Sequence, residues 1–345
     1  MMMNKILDTI CGKSHSFPPI WFMRQAGRYL PEYREIKSQQ KDFLSMCYNP
    51  KTASEITLQP IKRFDFDAAI IFSDILVVPH NLGINVTFKE NIGPVVEKVT
   101  SINRINGFKD SGKLSYVYDA ICEVKSKLPP EKALIGFSGS PWTVVTYLLD
   151  EKNKKDFTES RSKIYQNQNL VDSLIEVITI ETIKYLKNQI RAGADIIQLF
   201  DSWSGVLSED NFEKYVINPT KRIISEIKKE FPQTPIIGFP KGAGYKYDMY
   251  IDHTGIDVIG VDYTIPVGVM KKFQEKKVVQ GNLDPVILLS NKSDIEKATQ
   301  ELLDKLSGRP FIFNLGHGIL PNTPIENVEF ILDYIRKSNN RPYKL

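Results

Sequence analysis

A short run of continuous apolar residues, followed at once by a polar or glycine-rich turn, recurs along this chain and constrains its fold more than any other feature. It appears as Asp67-Ala-Ala-Ile-Ile-Phe-Ser before Asp74, Ala133-Leu-Ile-Gly-Phe before Ser138-Gly-Ser-Pro-Trp, and Asp195-Ile-Ile-Gln-Leu-Phe before Asp201-Ser-Trp. It returns as Pro235-Ile-Ile-Gly-Phe before Pro240-Lys-Gly, Asp257-Val-Ile-Gly-Val before Asp262-Tyr-Thr, Lys277-Val-Val-Gln before Gly281-Asn-Leu-Asp-Pro, and Phe311-Ile-Phe-Asn before Leu315-Gly-His-Gly. Continuous rather than alternating apolar character is the pattern of a strand covered on both faces, as in a parallel sheet flanked by helices. Ile20-Trp-Phe-Met, leading into Arg24, makes an eighth such run.

Segments with helical spacing separate these runs. Leu170 to Ala192 places Leu174, Ile175, Ile178, Ile183 and Leu186 on broad apolar faces, and Phe212 to Glu230, Asp294 to Leu306 and Asn327 to Lys337 read the same way. Pro50 to Arg63 is a further helix, with Thr52 placed to cap its start. Strand and helix alternating in this way predict an α/β fold, a single (β/α)8 TIM-type barrel over residues 1–345. Gly83 to Gly112 is an insertion after the second strand, with Ile84-Asn-Val-Thr-Phe and Val95-Val-Glu-Lys-Val forming a small hairpin. A doubly wound open sheet is the competing fold; it ranks second because no strand–turn–helix here carries its glycine fingerprint.

Composition narrows the class. Of 345 residues, 42% are hydrophobic and 25% charged, as in a globular protein with a large core. The net charge of +4 is spread among mixed signs with no basic arm, which argues against a nucleic-acid partner. Cys11, Cys47 and Cys122 are far apart and odd in number, so they predict neither a disulfide framework nor a metal site, and they point to a reducing, cytoplasmic compartment. The opening Met-Met-Met-Asn-Lys-Ile-Leu lacks the apolar core of a signal peptide, and no run approaches a membrane span.

In a barrel of this kind, chemistry gathers at the C-terminal ends of the strands. The residues found there are Arg24 and Arg28, Asp74, Ser138 with Tyr147, Asp201 with Ser202, Lys241, Asp262, Asn282 with Asp284, and His317. Two guanidinium groups four residues apart, with Gly27 between them, suit a clamp on anionic groups, although on spacing alone a solvated basic turn is the favoured reading. Asp74 and Ser202 are stabilisers or ligands on one reading and helix caps on the other. Tyr147 could be a core tyrosine bonded to backbone, and Asp262 and Asp284 fit turns and caps. His317 lies between Gly316 and Gly318, which leave its backbone free. No Walker, Rossmann or nucleophile-elbow motif is present. The inventory suits a cofactor-free, metal-free reaction on a substrate rich in carboxylates.

Trp21-Phe-Met-Arg-Gln-Ala-Gly-Arg-Tyr-Leu-Pro-Glu-Tyr closely resembles the N-terminal signature of the uroporphyrinogen decarboxylase family. Phe72-Ser-Asp-Ile-Leu, Gly136-Phe-Ser-Gly-Ser-Pro-Trp-Thr, Leu199-Phe-Asp-Ser-Trp, Gln280-Gly-Asn-Leu-Asp-Pro and Asn314-Leu-Gly-His-Gly-Ile agree with the same family, in order. The resemblance implies a (β/α)8-barrel carboxy-lyase of porphyrin and heme biosynthesis, usually a homodimer. Such an enzyme converts the four acetate side chains of uroporphyrinogen III to methyl groups without a cofactor. It further implies that Arg24, Gln25, Ala26, Gly27 and Arg28 form a substrate-binding segment. Asp74 would then stabilise the reacting macrocycle, and Tyr147, Ser202 and His317 would contact it. A corrinoid-dependent methyltransferase of related fold would need zinc-ligating His or Cys residues at strand ends, where the three cysteines do not fall. A non-catalytic tetrapyrrole-binding protein would lack the carboxylate at Asp74.

Overall fold

The computed structural model describes residues 4–13, 15–89, 92–150 and 156–338. Seven of the predicted runs form one parallel sheet: β1 (Ala68–Ile70), β4 (Ala133–Gly139), β5 (Ile196–Asp201), β6 (Ile236–Pro240), β7 (Val258–Gly260), β8 (Val278–Leu283) and β9 (Phe311–Leu315), in that spatial order. β2 (Val86–Lys89) and β3 (Gly93–Val96) pair antiparallel as the predicted insertion hairpin, with Val86 opposite Val96. Residues 90–91 between them, and residues 1–3 of the N-terminal stretch, lie outside the described residues.

The sheet is curled. Gln280 Nε2 donates to Gln198 Oε1 at 3.1 Å, although β6 and β7 separate their strands, so the two side chains meet across the hollow of the sheet. Trp21 Nε1 completes the chain by donating to Gln280 Oε1 at 3.0 Å. These groups are fully buried, and each polar atom left unpaired there would carry a desolvation penalty. Helices cover the outer face, which explains the continuous apolar runs. All seven residues of β4 are buried, and helix Gln168–Arg191 packs against it.

The eighth run does not form a regular strand. Ile20 makes one parallel bridge to Phe313 of β9, and on its other side it pairs with Asp67, just before β1. The ladder stops there because side chains take over the backbone donors. Asp67 Oδ2 accepts from Ile20 N at 2.8 Å, and Asn314 Oδ1 accepts from Met23 N at 3.1 Å. The chain then turns at Arg24, whose φ of 63° ends any extended structure. The segment still touches both edge regions of the sheet.

The Ile20–Asp67 pairing has two counterparts. Asp195 Oδ2 accepts from Leu134 N at 2.8 Å while Asp195 N donates to Leu134 O at 2.8 Å. Asp257 Oδ2 accepts from Ile236 N at 2.8 Å while Asp257 N donates to Ile236 O at 2.9 Å. In each case an aspartate just ahead of one strand secures an amide near the start of the run before it. The expected helix at Pro50 runs Pro50–Phe64, but its cap is Asn49, whose side chain accepts from Thr52 N at 3.2 Å. Thr52 is the capped residue rather than the cap, because Pro50 occupies the first helical position and sets the boundary one residue earlier.

Candidate active site

The turn carrying Arg24 is held from three directions. Gln25, 1% exposed, accepts from Phe22 N through Oε1 at 3.1 Å and donates through Nε2 to Ala68 O at 2.9 Å. Met23 O accepts from Ile319 N at 2.9 Å, tying the turn to the loop after β9. Both polar ends of the Gln25 side chain are therefore engaged by the fold, and so is its backbone, whose N–H donates to Phe22 O at 3.1 Å and whose carbonyl accepts from Tyr29 OH at 2.8 Å. Arg24 sits in the left-handed region on this frame. A non-glycine residue there costs on the order of 1 kcal/mol or more, and such strain clusters at functional positions.

From this turn the Arg24 charge acts on Asp74, Tyr147, Lys241 and His317, which come from four other elements. Asp74 follows β1 and is half-buried. Its Oδ1 accepts from Leu76 N at 2.8 Å, so the carboxylate closes a local turn and still faces the mouth. Burial raises its carboxyl to about 6, against the opposing pull of the Leu76 amide and of Arg24. It is thus mostly ionised at neutral pH and poised to respond to a cation placed beside it.

Tyr147 lies on helix Pro141–Leu149, after β4, and burial raises its hydroxyl. The indole of Trp203 stands beside it, and the Trp203 N–H finds no hydrogen-bond acceptor in good geometry. Ser202 is half-buried at the end of β5, next to Trp203, whose amide donates to Thr143 Oγ1 at 3.1 Å. The same Thr143 hydroxyl donates to Asp201 Oδ1 at 2.5 Å. Asp201 is fully buried behind this turn, and burial raises its carboxyl to about 7, with the Thr143 bond opposing.

His317 follows β9. Burial lowers its imidazole to about 3, reinforced by the charges of Arg24 and Lys241 and opposed by Asp262, so it is neutral near pH 7. The flanking glycines do not serve backbone freedom, since neither has a positive φ. They serve close approach: a Cβ on Gly316 would fall 2.3 Å from Tyr263 N, and one on Gly318 would fall 2.3 Å from Arg24 Cδ.

Other predicted residues separate from this group. Arg28 is exposed beside Tyr33, and its backbone carbonyl accepts from Arg34 Nη1 at 2.8 Å. Ala26 and Gly27 are half-buried along the rim between the two arginines. Ser138 is buried in β4, with its hydroxyl donating to Gly139 O at 3.1 Å, away from the mouth. Asp262 is fully buried and organises loops, accepting from Gly242 N at 2.7 Å and Tyr247 OH at 2.9 Å. Asp284 caps the short helix Pro285–Leu289, as the turn reading expected. Among the described residues no cluster of three His, Cys, Asp or Glu could hold a metal ion, and the three cysteines are free. No described helix is long and apolar enough to cross a membrane. Trp203 carries no charge and takes no role in the sequence reading; the available signal is its place at the end of Leu199-Phe-Asp-Ser-Trp, two residues beyond β5.

A curled parallel sheet with a cation-rich mouth and one responsive carboxylate at its C-terminal edge defines a class of α/β proteins suited to anionic ligands. The chain belongs to the uroporphyrinogen decarboxylase family: the family model "Uroporphyrinogen decarboxylase (URO-D)" matches residues 1–338. A uroporphyrinogen decarboxylase of Rickettsia africae (strain ESF-5) is 52% identical over 336 residues, covering 97% of this chain and 97% of that protein. One from Rickettsia conorii (strain ATCC VR-613 / Malish 7) is also 52% identical with the same coverage. Among solved structures, a methyltransferase from Methanosarcina mazei superposes with a TM-score of 0.80 over 97% of this chain and 98% of its own, at 18% identity, a likeness of fold alone.

Proposed function

We propose that this protein removes the carboxyl groups of the four acetate side chains of uroporphyrinogen III, giving coproporphyrinogen III and carbon dioxide, as a carboxy-lyase of heme biosynthesis. Family membership supports the reaction. The observation that carries the assignment of roles is Asp74, a half-buried carboxylate raised to about 6 at a mouth that also carries Arg24 and Lys241.

Each decarboxylation needs a sink for the electron pair left when carbon dioxide departs. Protonation of the pyrrole α-carbon next to the ring carbon that bears the acetate makes the ring nitrogen cationic and iminium-like, conjugated with the acetate-bearing carbon. The C–C bond then breaks toward the ring, carbon dioxide leaves and an exocyclic methylene forms; a proton added to that methylene, with loss of the proton from the ring α-carbon, restores the pyrrole with a methyl group. Asp74 stabilises the cation where it develops, in a water-poor site where such a charge is effective. Because the pyrrole supplies its own sink, this reading requires neither metal nor organic cofactor. Arg24 and Arg28 hold substrate carboxylates, Tyr147 and Ser202 contact the macrocycle, and His317 acts as a neutral imidazole that donates a hydrogen bond.

The same reading takes Pro19–Trp21 as the first stave of a closed (β/α)8 barrel within one domain, residues 1–345. Its hydrogen bonds to Asp67 on one side and Phe313 on the other support closure. It further takes the protein as a cytoplasmic homodimer, as family resemblance suggests. Anaerobic incubation with uroporphyrinogen in the presence of a chelator, followed by oxidation and separation of the porphyrins, tests the reaction. A four-carboxyl product with release of carbon dioxide is expected, and unchanged eight-carboxyl substrate would overturn the proposal.

A further inference from the structure

Lys241 immediately follows β6, which is the middle strand of the seven, whereas Arg24 follows the segment bonded to both ends of the sheet order. The two cations therefore rise from opposite sides of the mouth, and the charge of Arg24 reaches Lys241. Lys241 is half-buried, and no carboxylate lies within ion-pair distance of its Nζ among the described residues. The nearest acidic influence, Asp262, has its oxygens committed to Gly242, Tyr247 and Thr264.

The position of Lys241 is built rather than incidental. Its amide donates to Asp201 O at 3.0 Å, and its carbonyl accepts from Ser204 Oγ at 3.2 Å. Gly205 and Gly242 touch backbone to backbone, so closely that a Cβ on Gly205 would fall 2.3 Å from Gly242 O. This locks the Lys241 loop to the turn that carries Ser202 and Trp203. Lys241 Nζ then stands 5.6 Å from the centre of the Trp203 ring, a cation held over an aromatic face. Burial lowers its ammonium, and Arg24 adds to the effect while Asp262 opposes it. A charged group kept partly out of water, without a counter-ion, set over an aromatic ring and carried on a pinned backbone, is arranged for a ligand that brings the counter-ion.

We propose that Lys241 is a substrate-binding residue that holds a peripheral carboxylate of the macrocycle on the side of the mouth opposite Arg24. The inference rests on the reading of this mouth as a tetrapyrrole site. Two cations on opposite sides of the mouth fix the rotation of a ring whose carboxylates lie on its rim, and so determine which pyrrole faces Asp74.

The test is fluorescence titration of the wild type, Lys241→Met and Lys241→Arg with uroporphyrin, the oxidised eight-carboxylate macrocycle that cannot turn over. Loss of a charged hydrogen bond should weaken Lys241→Met binding roughly 10- to 100-fold, and Lys241→Arg should recover most of it. The salt dependence of binding should be shallower in Lys241→Met. Lys241→Gln, read in the same way, replaces Lys241→Met if that variant does not fold by circular dichroism. Folded Lys241→Met that binds as tightly as the wild type overturns the inference, as does Lys241→Arg no better than Lys241→Met. The reaction itself is read separately. Wild type that releases carbon dioxide while Lys241→Met binds normally removes the role of Lys241 and keeps the proposed reaction. Wild type that binds uroporphyrin through Lys241 and releases none removes the reaction and keeps the anchor.

Discussion

The side chain of Arg24 lies across the backbone of Gly318, so that a Cβ at position 318 would fall 2.3 Å from Arg24 Cδ and 2.7 Å from Cγ. The arginine that reaches four other elements of the mouth is thus aimed by an absent side chain. Because Gly318 has no positive φ, alanine there meets a steric conflict rather than a backbone one. Gly318→Ala should therefore displace Arg24, lowering kcat/KM by about 10²-fold, the scale of a misplaced positioning group. The melting temperature should stay close to that of the wild type. Steady-state kinetics with a thermal melt check this, and normal kinetics in a folded variant would mean that Arg24 has another route into the site.

Asp74→Asn preserves the size of the side chain and the acceptor for Leu76 N but removes the charge. We expect turnover to fall by at least ~10²-fold with a smaller change in KM. The wild-type rate should rise with pH through about 6, and the variant should lose that limb. Stability should move the other way. Between the usual carboxylate value of 3.8 and about 6, the folded state holds more protons at Asp74 than the unfolded state. Its contribution is therefore lost as pH rises through that window. At pH 7 the asparagine variant should be more stable by on the order of 1–3 kcal/mol, measured by denaturant unfolding at pH 4 and pH 7.

His317, lowered to about 3, should show no titration between pH 5 and 8 in its imidazole proton resonances. The unfolded chain takes up a proton at this residue below pH 6.5 and the folded one does not until about 3. The stability present at neutral pH is accordingly lost as pH falls through that window. A His317 resonance that titrates near 6.5 would show the imidazole open to water and unaffected by Arg24 and Lys241.

Gln280→Leu should destabilise the fold by about 2–4 kcal/mol, because it strands both the Trp21 indole N–H and Gln198 in the hollow of the sheet. Gln280→Glu should cost more at pH 7 than at pH 4, since the added carboxylate is buried without a cation. Urea unfolding at the two pH values reads both variants.

Much of this was legible in one dimension. The continuous apolar runs are what strands covered on both faces require, and all seven clear ones lie in the sheet. The insertion hairpin announced itself through two alternating segments flanked by Gly83 and Gly112. Ile20-Trp-Phe-Met read as an equal strand and is a single bridge, because Asp67 and Asn314, remote in sequence, supply side-chain acceptors where strand carbonyls would pair. The aspartates that open the runs at Asp67, Asp195 and Asp257 were visible, but their shared role depends on which amide lies beside each carboxylate.

The same division runs through the site. Motif spacing alone placed Arg24, Asp74, Tyr147, Ser202, Lys241 and His317 at strand ends, since parallel strands all deliver their C-terminal loops to one edge of the sheet. Arg24 and Arg28 are both exposed, and only the folded chain separates Arg24, lying across Gly318 with its charge felt by Asp74, Tyr147, Lys241 and His317, from Arg28, four residues on beside Tyr33. Only the folded chain raises Asp74 and lowers His317, because burial and neighbouring charge belong to the assembled mouth. The order of residues determines which groups reach the mouth; packing across the curled sheet decides their direction, their hydration and therefore their charge.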